Sequence, residues 1–435
     1  MSDSPRKSLR ILLSAYACEP GKGSEPGVGW NWALALARRG HEVWVLTRRN
    51  NQETIEPEYR RLEPALKARL HFTYYDLPKW ASWWKKGGRG VHLYYLLWQW
   101  GAYQVAKKQH AENKFDRVQH ATFVSVRQPS FMGGLGIPFI FGPVAGGERA
   151  PWRLRSGYGW RGWLLDAARD AANALVKVDP LMWRTFAQAE RIYVTSGQTK
   201  NLVPRRYWPK TQIKLAIALD GPEAVRPHES HGVPSPRILY LGRFLYWKGM
   251  HLGLASFSRL LKSLPDARLS MIGCGPDEAR WRQLANQLGM TDSIDWIPWV
   301  GQSELPALYR NHDVLLFPSL HDSGGMVVLE AMQNGLPVVC LKLGGPGVLV
   351  DETGGVALDP DGHSKCSLID AVAHRLTGLC LDRKALAQKS TGARKRALEY
   401  GPDALAAAIY APIETEQAVI VARNPLKDRE PVVAA

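Results

Sequence analysis

The feature that most constrains this chain is a repeated unit in which a glycine-rich loop and a helical stretch join two short apolar runs. In the first half the runs are residues 9–17 and 42–47, and the loop is GKGSEPGVG. In the second half the runs are residues 237–241 and 267–272, and the loop is GRFLYWKG. This order is typical of a strand, a crossover helix and a parallel strand. Both halves are therefore predicted to be α/β.

Seven more apolar runs predict further strands, at residues 69–75, 117–121, 138–141, 191–195, 294–297, 314–318 and 337–341. A chain of 435 residues accommodates two domains. Residues 219–236 are rich in proline, glycine and charge, as is typical of a boundary. We predict two doubly wound, Rossmann-like domains, residues 1–218 and 219–399, and a flexible tail at 422–435.

The net charge of +16 is carried by the first half of the chain. Residues 1–220 hold 34 Lys and Arg against 17 Asp and Glu, whereas residues 221–435 hold 22 against 23. Twelve of the 17 tryptophans also lie before residue 200. This asymmetry indicates two domains with different partners. Nucleic acid, an anionic membrane surface and a phosphorylated substrate each fit the basic half.

The five cysteines are widely spaced and form no CxxC pair, which argues against a disulfide framework and a structural zinc site. Glu19 ends the first apolar run, so that run is typical of a buried strand rather than of a signal peptide. A cytoplasmic location is the expectation from both observations.

One segment, residues 78–108, departs from the alternating pattern. Residues 91–106 contain no Lys, Arg, Asp or Glu, but they are fewer than the roughly 20 residues that a membrane span needs. A buried helix is one interpretation. The other is contact with an anionic membrane surface, since tryptophans and cations suit the headgroup layer. The residues for that contact are Trp80, Trp83, Trp84, Lys85, Lys86 and Arg89.

The run LFPSLHDSGGMVVLEAMQNGLPVV, residues 316–339, carries the strongest chemical signal. An apolar strand leads into a short loop, and a helix follows whose free N–H groups and positive dipole end face that loop. Asp322 in the loop and Glu330 in the helix suit sugar and ribose hydroxyls, while the N–H groups suit a phosphate. An ordinary turn in which Asp322 caps the helix is the alternative.

This run resembles the E-x7-E region of retaining glycosyltransferases of family 4, which have the GT-B fold. Glu330 matches the second acid, and Asp322 stands where the family usually has Glu, a departure that bears on sugar preference. Arg243 and Lys248 resemble the family's GR…KG motif, and a guanidinium and an ammonium at the end of a strand suit a diphosphate. By the same resemblance, the donor-binding residues are Gly23, Gly27, Gly242, Gly273, Gly275, Pro298, Ser323, Gly324, Gly325 and Met326.

In the first half, His120 at the end of a strand resembles the family's histidine near the reacting sugar, and residues 141–148 resemble a cleft loop. Segments 78–108 and 150–180 have no match. The resemblance implies two Rossmann-like domains facing across a cleft, with a helix at about 400–420 crossing back to the first domain. Its catalytic set is His120, Arg243, Lys248, Asp322 and Glu330.

The chemistry implied is transfer of a hexose from a UDP- or GDP-sugar with retention, without a metal and without an assigned general base. The basic half then predicts a polyprenyl-diphosphate-linked saccharide as acceptor, in exopolysaccharide or O-antigen assembly at the inner membrane face. A soluble sugar or metabolite is the alternative acceptor. A sugar-nucleotide epimerase and a nucleic-acid or sugar-nucleotide binding protein are rival functions, although the chain has no recognisable nucleic-acid module.

Overall fold

The computed structural model describes residues 8–22, 24–85, 87, 90–122, 125–219 and 235–423. In this part of the chain there are two parallel sheets, one of seven strands and one of six, and each belongs to its own α/β domain. The predicted doubly wound fold is confirmed. Residues 220–234, which hold most of the predicted boundary, and residues 424–435 of the predicted tail lie outside the described ranges.

The first sheet has the strand order β3-β2-β1-β4-β5-β6-β7. Its strands are β1 Arg10–Ala15, β2 Glu42–Thr47, β3 Leu70–Tyr74, β4 Arg117–Thr122, β5 Phe139–Val144, β6 Arg191–Val194 and β7 Thr211–Ile213. The helices of this N-terminal domain are α1 Ser24–Arg38, α2 Gln52–Arg61, α3 Pro64–Lys67, α4 Lys79–Ser82, α5 Val91–Asn113, α6 Trp160–Leu175, α7 Pro180–Gln188 and α8 Gly197–Lys200.

The second sheet has the strand order β10-β9-β8-β11-β12-β13. Its strands are β8 Arg237–Leu241, β9 Arg268–Ile272, β10 Ile294–Ile297, β11 Val314–Phe317, β12 Val338–Leu341 and β13 Gly355–Leu358. The helices that follow are α9 Met250–Leu261, α10 Glu278–Gln287, α11 Leu305–Arg310, α12 Met326–Gln333, α13 Pro346–Leu349, α14 Lys365–Leu381, α15 Arg383–Ala397 and α16 Pro402–Arg423.

The central strands are buried because helices cover both faces of each sheet. Every residue of β4, β5, β11 and β12 is buried. The short edge strands β7 and β13 were not predicted, since three or four residues with mixed exposure carry little periodic signal.

The strand order reverses between β1 and β4 in the first sheet and between β8 and β11 in the second. Ligands in open α/β sheets bind where the order reverses, at the carboxyl ends of the strands. The loops after β8 and β11 carry Lys248 and Asp322, so the topology brings these two motifs together.

The last helix, α16, packs on the N-terminal domain. The Glu414 carboxylate accepts hydrogen bonds from both Nε and Nη2 of Arg39, at 2.6 and 2.7 Å, and contacts His41 Nε2 at 3.0 Å. The Tyr410 hydroxyl donates to Gln119 of β4 at 2.7 Å. The chain therefore returns to the first sheet after completing the second, and the helix continues to Arg423, one residue past the predicted start of the tail.

Candidate functional site

Asp322 organises the loop between β11 and α12. Its Oδ1 accepts hydrogen bonds from the N–H groups of Gly324 and Gly325, at 3.2 and 2.7 Å. Its Oδ2 lies 2.5 Å from Lys248 Nζ. One carboxylate therefore shapes the turn into the helix and also holds a cation from another loop.

Lys248 ends a short 3-10 turn, Tyr246–Lys248, and Gly249 follows it with φ at +70°. A Cβ at position 249 would lie 2.0 Å from the Pro318 carbonyl oxygen, so only glycine lets this turn press against the end of β11. The close approach of the two backbones brings Lys248 to Asp322. The KG pair of the motif thus has a steric reason as well as an electrostatic one.

Glu330 lies in α12, and its Oε2 accepts a hydrogen bond from the Tyr309 hydroxyl of α11 at 2.8 Å. Burial raises the pKa of Glu330 above its ordinary value, and the bond from Tyr309 only partly opposes that rise. Tyr309 was not singled out from the sequence, because its role depends on packing between two helices rather than on a motif.

A cavity of about 340 Å³ lies between the two domains. The C-terminal domain contributes Lys248, Asp322, Ser323, Gly324, Gly325, Met326 and Val327 to its lining. The N-terminal domain contributes Glu25, Val28, Ala121, Thr122, Pro143, Ala145, Thr195, Ala216 and Ile217. The structure thus gathers Lys248, Asp322 and the predicted start of the helix in one place. Glu25, Thr122 and Thr195 are polar lining residues that sequence reasoning missed.

The other predicted donor residues do not line this cavity. Arg243 is exposed on the loop after β8, and Pro298 is exposed beyond β10. Gly273 and Gly275 pack loop against loop: a Cβ at Gly273 would lie 2.1 Å from the Gly242 carbonyl oxygen. In the structure these glycines join the ends of β8 and β9.

Two residues predicted in the first half are placed differently. Gly27 lies inside α1 rather than in a loop, because the helix begins at Ser24 and a Cβ at position 27 would lie 1.9 Å from the Lys22 carbonyl oxygen. It therefore lets the first turn of the helix pack against the loop at Lys22. Gly23 lies outside the described residues.

His120 was predicted to contact the reacting sugar, but the structure buries it beneath α5. Its Nε2 lies 2.8 Å from the Tyr95 hydroxyl, and its Nδ1 lies 2.9 Å from Ser130 Oγ. Burial lowers the pKa of His120 to about 3, so the ring is neutral. The next two residues of the strand, Ala121 and Thr122, line the cavity instead.

Beside Asp322 lies another partly buried polar group, His321, which the sequence did not single out. Within the described ranges its Nε2 has no hydrogen-bond partner. Burial lowers its pKa, with the cations Arg169 and Lys248 adding to the effect. Glu148, the last residue of the predicted cleft loop, is also buried and accepts hydrogen bonds from the hydroxyls of Thr195, Ser196 and Thr199.

Residues 150–180, which lacked a match to the family pattern, form a bridge from the N-terminal to the C-terminal domain. His251 Nε2 lies 3.0 Å from the Leu154 carbonyl oxygen, and Arg280 Nη2 donates to the Gly157 carbonyl oxygen at 2.9 Å. Further along, α6 contacts the turn that carries Lys248. The Tyr246 hydroxyl lies 3.5 Å from Asp166 Oδ1. One domain therefore supports the cationic loop of the other.

The segment at 78–108 is half buried and half exposed. The helix α5 buries Tyr94, Tyr95 and Trp98 in the N-terminal core. Its other face exposes Leu93, Leu97 and Trp100, and Trp80 and Trp83 are 80% and 77% exposed. Trp84 is half-buried, and Lys85 lies over the Tyr94 ring. Lys86 and Arg89 lie outside the described residues.

None of the helices in the described ranges is both long and apolar enough to cross a membrane. No group of three or more His, Cys, Asp or Glu is placed there to hold a metal ion.

Comparison with solved structures supports the fold. A sucrose-phosphate synthase from Thermosynechococcus elongatus superposes with a TM-score of 0.58 over 94% of this chain and 100% of its own, at 17% identity. A lipopolysaccharide outer core galactosyltransferase gives 0.60 over 95% and 100%, at 12% identity. Anabaena HepE in complex with UDP-glucose gives 0.51 over 94% and 100%, at 14% identity.

Sequence comparison matches part of the chain to known proteins. D-inositol 3-phosphate glycosyltransferase from Corynebacterium glutamicum is 29% identical over 213 residues, 47% of each chain. The chain thus spans about half the length of the curated relatives it matches. Residues 223–396 match the family Glycosyl transferases group 1. This match lies within the C-terminal domain, and the two Rossmann-like domains of the whole chain have the GT-B arrangement of the solved structures.

Proposed function

We propose that the protein is a retaining hexosyltransferase that uses a UDP- or GDP-sugar and acts on a lipid-linked saccharide in polysaccharide assembly. The observation that supports this most is the contact of Lys248 with Asp322 in the cavity between the domains. A diphosphate oxygen would compete with Asp322 for the ammonium group. The carboxylate released in this way could then accept a hydrogen bond from a sugar hydroxyl.

The cationic groups and the acidic group of the site bind different parts of the donor. Lys248, Arg243 and the first N–H groups of α12 stabilise negative charge that grows on the leaving diphosphate. Glu330 accepts hydrogen bonds from the ribose, and Tyr309 keeps its carboxylate oriented. The complex of HepE with UDP-glucose supports a donor of this class, since that protein shares the fold.

The transfer step needs no enzymic nucleophile. The bond from the anomeric carbon to the diphosphate oxygen breaks while a bond to the acceptor oxygen forms on the same face of the sugar. The acceptor hydroxyl gives its proton to the leaving phosphate oxygen. The protein contributes placement and charge stabilisation, which are the effects expected of Lys248 and α12.

The donor assignment is tested by release of nucleoside diphosphate. We expect Lys248→Ala and Arg243→Ala each to lower kcat/KM on the order of 10³-fold, because a charge-stabilising donor is lost. Lys262→Ala, an exposed lysine after α9, is the matched control and should leave turnover unchanged. Near-normal turnover in both site variants would contradict the assignment. Release that needs no acceptor would favour an epimerase.

The membrane acceptor is supported by the exposed Trp80, Trp83 and Trp100 on the basic domain. We place the protein in the cytoplasm, peripheral on the inner membrane face. The soluble alternative is favoured by the buried face of α5 and by relatives named for inositol 3-phosphate. Co-sedimentation with vesicles rich in phosphatidylglycerol separates them: absence of binding at low salt would favour the soluble acceptor.

A further inference from the structure

A second cavity, of about 690 Å³, lies on the outer flank of the N-terminal domain and is separate in its lining from the cavity between the domains. We call it the basic pocket. Its lining residues are Lys177, Trp183, Asn201, Leu202, Val203, Pro204, Arg205, Arg206 and Trp208. Three of the nine are cations, two are tryptophans and none is a carboxylate.

The charge around the basic pocket is strongly one-sided. Residues 177–214 hold eight Lys and Arg against only two acids. Both acids already have structural partners: Asp179 caps α7 by accepting the N–H groups of Leu181 and Met182, and Glu190 accepts a hydrogen bond from Arg117. This short segment therefore supplies about a third of the excess charge of the domain.

The arginines of the pocket are held by aromatic rings rather than by carboxylates. The Arg206 guanidinium lies 5.0 Å from the centre of the Trp183 ring, and Arg205 lies 5.8 Å from the centre of the Trp208 ring. Within the described residues neither arginine forms an ion pair. A guanidinium stacked on a ring keeps its in-plane N–H donors available, which suits a phosphate group.

Exposed apolar side chains adjoin the pocket at the corner between α6 and α7. Leu175 and Val178 are 64% and 67% exposed and flank Lys177 in the chain. The Trp183 indole N–H donates to the Lys177 carbonyl oxygen at 2.8 Å, which fixes this corner against the pocket wall. Cations beside exposed aliphatic and indole side chains match the boundary between headgroups and acyl chains.

The exposed face of α5 is connected to the same side of the domain. The Trp100 ring contacts the Phe131 ring at 5.4 Å between centres. The preceding residue, Ser130, hydrogen-bonds through its N–H to Thr185 of α7 at 3.1 Å. These contacts link α5 to α7, the helix that carries Trp183 of the basic pocket.

We infer that the basic pocket binds the phosphate of an anionic phospholipid headgroup, with Leu175 and Val178 entering the acyl boundary. The inference rests on the proposed membrane contact for its setting but not on the transfer chemistry. It assigns a specific lipid site where the proposed function needs only a surface. The ligand class follows from three cations and no carboxylate around a cavity with an apolar rim.

The experiment uses the full chain and soluble dihexanoyl phosphatidylglycerol below its micelle concentration, titrated by calorimetry. The test variant is Arg205→Ala/Arg206→Ala. The matched control, Arg60→Ala/Arg61→Ala, removes the same charge from exposed positions of α2. We expect the test variant to bind the lipid on the order of 30-fold more weakly, since each arginine near an anionic headgroup contributes about tenfold or somewhat less. The control should stay within threefold of the wild type.

Besides a lack of lipid binding, three outcomes would overturn the inference. They are equal weakening in both double variants, equal affinity for dihexanoyl phosphatidylcholine, and equal affinity for glycerol 3-phosphate, which would make the site one for free phosphate. The shift in melting temperature caused by UDP-glucose is measured on the same samples. A normal donor shift with no lipid binding contradicts the pocket alone, whereas lipid binding with no donor shift contradicts the proposed donor alone.

Discussion

The two domains are built from the same strand, loop and helix unit, yet they present different chemistry to the cavity between them. The C-terminal loops contribute the pair Lys248 and Asp322 and the start of α12. The N-terminal wall is mostly small and apolar, with Val28, Ala121 and Pro143 among its residues. The neutral domain thus supplies the charged pair of the cavity, although the other domain carries the whole excess charge of the chain.

The charges of the N-terminal domain serve other purposes. Some form buried networks: Arg155 is almost fully buried and lies 2.7 Å from Asp170 Oδ2 and 3.8 Å from Asp166 Oδ2. Others surround the basic pocket. The net charge of a domain therefore indicates a surface for a charged partner, but it does not show which domain holds the charged residues of the cavity between the domains. The following changes test this division, from the largest expected effect to the smallest.

The largest effect is expected at Asp322. Asp322→Ala removes the partner of Lys248 and the acceptor for two N–H groups, so kcat/KM should fall by on the order of 10³-fold or more. Asp322→Glu, which restores the usual family acid, should remain within about tenfold of the wild type. Asp266→Ala, at an exposed position of the same domain, is the control. A mild effect of Asp322→Ala would remove the basis for a charged C-terminal site.

The next effect concerns stability rather than activity. Arg155→Met leaves Asp166 and Asp170 without their buried cation, and we expect the free energy of unfolding to fall by about 3 kcal/mol or more. Arg61→Met, which breaks an exposed pair with Glu58, should cost less than about 1 kcal/mol. Urea denaturation of both variants measures the difference. Similar values would contradict the view that buried N-terminal charges are structural.

A smaller effect is expected where α16 meets the first sheet. The hydrogen bonds and charge of Arg39 lower the pKa of Glu414, whereas burial lowers the pKa of His41 despite the adjacent carboxylate. We therefore take Arg39–Glu414 as the ion pair and His41 as neutral. Because the folded-state pKa of Glu414 is depressed, its contribution is present above the unfolded value and lost as pH falls through the folded one.

Glu414→Gln should accordingly lower the free energy of unfolding by about 2 kcal/mol at neutral pH. The loss should shrink as pH falls through the depressed pKa. Thermal unfolding across that range, with Glu112→Gln at an exposed position of α5 as the control, measures it. A difference that does not depend on pH would mean that packing, not charge, holds α16.

The smallest effect is expected at Glu330. Glu330→Gln keeps the contact with Tyr309 but weakens the bond to a ribose hydroxyl, so kcat/KM should fall about tenfold. Burial raises the pKa of Glu330, so wild-type activity should fall as pH drops through a value above that of an exposed glutamate. The variant should lack this acidic limb, and Glu352→Gln, at an exposed position, should keep it. An identical pH profile for Glu330→Gln would remove the assigned role.

The sequence predicted that Lys248 and Asp322 lie together, because both are in short motifs at the ends of neighbouring strands. Lys248 and Asp322 are 74 residues apart, but parallel strands bring the ends of β8 and β11 together. The sequence did not predict that His120 is buried, since the end of a strand does not show which face a side chain takes. It also did not predict that Gly27 lies inside α1, since a glycine-rich run does not show where the next helix begins. Tyr309, His321 and the bridge at 150–180 depend on tertiary packing, and no local pattern marks them.

The central claim is that the cavity beside Lys248 and Asp322 holds a nucleotide sugar. The most direct measurement is the melting temperature of the wild type and of Lys248→Ala with a panel of UDP- and GDP-hexoses. A ligand at about 100 times its Kd adds roughly 2.7 kcal/mol to the free energy of unfolding, so at least one hexose should raise the wild-type melting temperature by several degrees. The shift should be largely lost in Lys248→Ala. No shift with any donor, or an equal shift in the variant, would contradict the account.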